Sequence, residues 1–170
     1  MNMEMVVLRL IHIGGGVFWA GAIFFIVFFL EPSVRAAGPD GAKVMQGIQQ
    51  RKLLIILPVV AALTILSGVV LYWRVSVGFN TDWMASRIGA SLTTGAVASI
   101  VAFLIGVFVM RASTLEAGRL AAKAQQSEGE PQGALMARVQ ALRLRVRTSA
   151  RWVAALLVVA VATMAVGRYL

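Results

Sequence analysis

Four apolar stretches, residues 6–30, 53–73, 88–110 and 152–170, leave this chain few folds to choose from. About 20 residues at 1.5 Å each cross a hydrocarbon core of roughly 30 Å, and each stretch reaches that length. Inside lipid a backbone must satisfy its own hydrogen bonds, so such stretches are helical. A transmembrane barrel would instead show segments of about ten residues with alternating polarity, and none appears. Of the 170 residues, 59% are hydrophobic and 14% are charged. A soluble domain would have about 45–50% and about 25%, too polar a mixture to match this chain. The expected fold is all-α, an integral membrane bundle of four transmembrane helices in one domain over residues 1–170. The first stretch is expected to stay as helix one, because its apolar run exceeds a signal-peptide core and Glu4 precedes it.

The chain has 16 basic and 7 acidic residues, a net charge of +9. Arg9, Arg74, Arg87 and Arg168 would lie on the side that holds both termini. The other side would hold segments 31–52 and 111–151. Its basic residues are Arg35, Lys43, Arg51, Lys52, Arg111, Arg119, Lys123, Arg138, Arg143, Arg145, Arg147 and Arg151. Lys and Arg concentrate on the cytoplasmic face of membrane proteins. Both long connections are therefore expected in the cytoplasm of a bacterial-type inner membrane, with both termini outside. Orientation accounts for the positive charge, and no nucleic-acid partner is expected.

Segment 31–50 contains Pro32, Gly38, Pro39, Asp40 and Gly41, which predicts a turn region. Residues 42–52 could form a short helix after it. Segment 111–126 is rich in helix formers. Leu135, Val139, Leu142 and Val146 repeat on one helix face. Helices three and four are thus expected to continue as a cytoplasmic helical hairpin over 111–151, turning at 127–133. The hairpin is either a solvated extension with its own seam or a docking surface for a partner subunit or anionic lipid heads.

His12 is the one histidine. On a helix it shares a stripe with Met5, Gly16, Trp19 and Ile23, with Gly15 beside it. An ionisable residue within a span is a functional candidate by default. Small residues let a second helix or a flat ligand approach the backbone. Arg87 opens the third span on the same side, backed by Ala90, Ser91, Thr94 and Ala98; Met164 belongs to that side too. Met1, Met3 and Met5 alternate before His12, and thioethers favour Cu(I), so copper handling is a lesser expectation. With no cysteine, thiolate metal sites and thiol catalysis are excluded. None of the seven carboxylates falls in a span core, which argues against a carboxylate proton relay. No phosphate loop, dinucleotide fingerprint, HExxH or nucleophile elbow is present.

His12, Trp19 and Gly21, a Phe-rich run to Leu30, Pro32, Arg51-Lys52-Leu53, Pro58, Thr64, Gly68, and Trp83 four residues before Arg87 form a pattern over residues 10–110. It resembles the four-helix membrane proteins of the HemJ-type protoporphyrinogen oxidase family and, more loosely, the membrane domain of CopD copper-resistance proteins. The resemblance implies haem b as cofactor and His12 and Arg87 as working residues. His12 would be the axial ligand to the haem iron, with Gly15, Gly16, Trp19, Arg87 and Met164 around the ring. The family has lysine where this chain has Arg87, and its Asn-Glu signature near the last helix is absent from 134–170. Two expectations follow. One is a tetrapyrrole-associated membrane protein, with oxidase activity as its catalytic form. The other is a non-catalytic accessory subunit of a larger respiratory or photosynthetic membrane complex, partnered by lipid and by other subunits or further copies of itself.

Overall fold

The computed structural model describes residues 3–126 and 128–170, with the Arg168 side chain left out. Its elements are α1 (Met3–Ala36), α2 (Gly38–Gln50), α3 (Leu53–Val75), α4 (Thr81–Ala85), α5 (Arg87–Ala124) and α6 (Glu130–Val166), closed by a 3₁₀ turn at Gly167–Tyr169. Among the described residues there is no strand. The helices α1, α3, α5 and α6 are each long and apolar enough to cross a membrane.

Segment 31–50 is helical, not a turn region. Pro39 stands in the first turn of α2, where the missing N–H costs nothing, and Pro32 lies inside α1 directly after a widened turn. The break shrinks to Ala37–Gly38, where Gly38 takes φ +56°. Lys52 takes φ +61° at the other end of α2, so left-handed residues bound this helix on both sides. Residues 130–133, expected in a turn, already belong to α6 with Pro131 in its first turn; Ser127 lies outside the described residues.

The bundle is built from two close antiparallel pairs, α1 with α3 and α5 with α6. Their seams are lined by small residues. Ala61, Thr64 and Ser67 are buried on α3, Ala98 and Ala102 on α5, and Ala150, Val153, Ala154, Leu157 and Ala160 on α6. Small side chains let helix axes approach, which gives van der Waals contact over a long seam. Trp19 and Ile23 of α1 fill the centre where the two pairs meet. The contact between α3 and α5 is much thinner. Beyond the bundle, residues 112–124 of α5 run along the start of α6. Val139 is buried there, with Leu135, Leu142 and Val146 half-buried on the same face.

Two helices widen into π turns, at Ile26–Leu30 in α1 and Ile105–Arg111 in α5. The first has a local cause. Pro32 has no N–H for the Phe28 carbonyl, and the Glu31 N–H reaches back to the Ile26 carbonyl. Large apolar side chains cover the outside of the bundle. Leu10, Val17, Phe29, Leu66 and Phe108 are each more than 60% exposed. A water-soluble monomer rarely presents so much apolar surface.

Candidate functional site

His12 stands in the α1–α3 seam. Its Nδ1 lies 2.8 Å from the Thr64 carbonyl oxygen. A nitrogen facing a carbonyl must carry the proton, so Nδ1–H donates; in the neutral ring this puts the lone pair on Nε2. Among the described residues no group bonds Nε2. The ring is half-buried and rests over Gly68, where a Cβ would stand 2.7 Å from Cε1. Thr64 donates its own hydroxyl to the Val60 carbonyl, and its carbonyl also accepts from the Ser67 hydroxyl. The imidazole is thus held by backbone, a hydroxyl network and a glycine gap. A carbonyl that fixes Nδ1–H is the usual outer partner of a histidine that binds metal through Nε2.

The space beside the glycines is largely spoken for. A Cβ on Gly15 would collide with the Thr64 hydroxyl, and one on Gly16 would touch Thr64 Cγ2 at 3.7 Å. Only Gly14 of the three faces open space. The donor chemistry therefore fits one nitrogen bond to a metal, whereas α3 occupies the room next to Gly15 and Gly16. Trp19, two turns on, is 5% exposed and belongs to the core. Thr64 and Gly68 were visible in the sequence pattern of the second span, but nothing there gave their rotation toward His12.

Arg87 begins α5 with an exposed side chain and has no ion pair among the described residues. Ser86 caps the helix by accepting from the Gly89 N–H. Among the described residues, the His12-bearing part of α1 and the first half of α5 do not pack against each other. His12 and Arg87 share one end of the bundle, on helix segments that do not touch each other. Met164 is also engaged elsewhere: its side chain fills the gap over Gly95 in the α5–α6 seam. The Arg74–Glu4 pair at 2.7 Å and the Tyr72–Thr93 bond at 2.5 Å tie the helices at this end. Met1 lies outside the described residues, and Met3 is exposed. No group of three or more His, Asp or Glu able to hold a metal occurs among the described residues.

The opposite end holds a cavity of about 160 Å³. Residues of all four long helices and of α2 line it, among them Trp19, Met45, Pro58, Ala102, Gly106 and Val153. Its wall is almost wholly apolar, with Gln49, Arg111 and Thr114 as the polar groups. Of the residues expected around a tetrapyrrole, Trp19 alone reaches this cavity. Pro58 was the one sequence sign of an interrupted helix here; the contributions of α2 and of the π turn had no such sign.

No known protein family, curated protein or solved structure matches the chain.

Proposed function

We propose that this chain is a multi-pass protein of a bacterial-type inner membrane that handles a tetrapyrrole, whose metal His12 would hold through Nε2. The observation that carries the reading is the Nδ1–H bond to the Thr64 carbonyl, which leaves Nε2 bare on a half-buried ring. Lipid would cover the exposed apolar surface. The excess of Lys and Arg in 31–52 and 111–151 would face the cytoplasm, with both termini outside. A bound haem b would supply one-electron chemistry through its iron. His12 would hold the metal, Thr64 would fix the tautomer, and Gly68 would set the ring's position. Arg87 keeps a permanent charge at the same end and suits a carboxylate. As the chain's one histidine, His12 would supply a single nitrogen to that metal.

The test is a pair of absorption spectra, oxidised and dithionite-reduced, of purified protein supplied with haem. A Soret band with a reduced α-band, lost in His12→Ala and shifted in Gly68→Ala, is the expected result. A featureless spectrum from protein that is helical and monodisperse would overturn the reading.

A second reading, an accessory subunit of a larger membrane complex, is favoured by the arm that α5 and α6 form beyond the bundle. Leu115, Met136 and Leu144 are exposed there, Leu144 by 62%, outside the apolar spans. Comigration with a larger complex in mild detergent, lost on replacing Leu144 by Glu, would support it.

A further inference from the structure

We infer that the cavity at the α2 end binds one acyl chain of an anionic phospholipid, with the headgroup held by Arg111 and its basic neighbours. This rests on the proposed membrane insertion and is independent of any tetrapyrrole at His12. The cavity's size is the first support. At about 160 Å³, it matches the roughly 150 Å³ at which a dry apolar cavity takes up a benzene-sized hydrocarbon. A stretch of acyl chain fits that volume.

The access is the second support. The cavity lies between the α1–α3 and α5–α6 pairs, and α3 and α5 meet only thinly. Pro58 cannot donate to the Leu54 carbonyl, and both residues line the wall. Gly106, Val107, Met110 and Arg111 line it from the π turn of α5, and Ile26 from the π turn of α1. Widened turns recur at binding sites because they displace backbone from ideal packing. Here both widened segments face the same cavity.

Charge selects the headgroup. Arg111 has no ion pair among the described residues, and its guanidinium suits a phosphate. Arg51 and Lys52 are exposed and sit in sequence between Gln49 and Leu53, two lining residues. The nearby Arg147 forms an ion pair with Glu31 at 3.5 Å, its Nε making no hydrogen bond among the described residues. Three basic groups thus stand at the polar end without an acidic partner. An anionic lipid satisfies them while its chain fills the apolar part; a zwitterionic lipid or a quinone fills the cavity but leaves the charges.

Trp19 lines the cavity and reports on it. Replacing Trp73, Trp83 and Trp152 by Phe leaves Trp19 as the sole tryptophan. The protein is reconstituted in vesicles with a minor share of phosphatidylglycerol or phosphatidylcholine brominated midway along the chain. Brominated phosphatidylglycerol should quench Trp19 several-fold more per lipid than brominated phosphatidylcholine. Arg111→Gln should remove that preference. Gly106→Leu, whose Cβ meets nothing within 4 Å, should fill the cavity and remove the quenching. Equal quenching by both lipids, or quenching untouched by both substitutions, would overturn the assignment. If Gly106→Leu does not fold, the Arg111→Gln comparison still decides. A variant keeping only the 65% exposed Trp152 is the control. If neither brominated lipid quenches it, the membrane insertion itself is wrong.

Discussion

At the scale of single residues, the α1–α3 seam depends on exclusion as much as on attraction. Gly68 leaves space that the His12 ring fills, so Gly68→Ala places a methyl 2.7 Å from Cε1. Overpacking of this kind costs about 1–3 kcal/mol. Thermal unfolding in detergent should show Gly68→Ala destabilised by that amount. In the double variant with His12→Ala the penalty of Gly68→Ala should largely vanish, since the ring it strikes is gone. Equal penalties in both backgrounds would mean that the ring does not occupy this gap. His12 and Arg87 were legible as residue types, because a lone histidine in an apolar run stands out in any sequence. Their separation was not legible. Depth along a helix can be counted from sequence, but the rotation of α1 against α3 and α5 is set by side chains that meet only in the fold.

At the scale of elements, the spans were legible because a 20-residue apolar helix has few alternatives. Segment 31–50 was not. Proline and glycine there signal a turn, yet proline in a first helical turn starts a helix as readily as it ends one. The tip joining α5 to α6 separates two glycines by their backbone. Gly129 has φ +69° and ψ −145°, a region that costs other residues about 1–3 kcal/mol. Gly133 lies within α6 and a Cβ there meets nothing within 4 Å. Circular dichroism melts should show Gly129→Ala destabilised by about that cost. Gly133→Ala should be neutral or stabilised by up to about 1 kcal/mol, the helix-propensity difference between the two residues. Destabilisation by both would place the constraint outside the Gly129 backbone.

At the scale of the whole molecule, the apolar exterior was readable from composition, and the cavity was not, because a void belongs to no residue. The proposed orientation makes a direct prediction. The chain has no cysteine, so single cysteines can be introduced without background. In intact cells, Asn80→Cys should react with a membrane-impermeant maleimide added outside. Gln126→Cys should react only after the membrane is opened. The reverse pattern would invert the topology; labelling of both in intact cells would deny the barrier between them.

The arm formed by α5 and α6 also has a gradient of charge along its length. Arg111, Arg143, Arg145, Arg147 and Arg151 gather toward its base, whereas Glu128 and Glu130 belong to its tip. In the proposed orientation the base lies against an anionic leaflet, whose field decays over about 8–10 Å in physiological salt. The foot of the arm is drawn down and its tip is not. The arm is thus tied to the leaflet at its foot alone, and raising the salt concentration would loosen that tie.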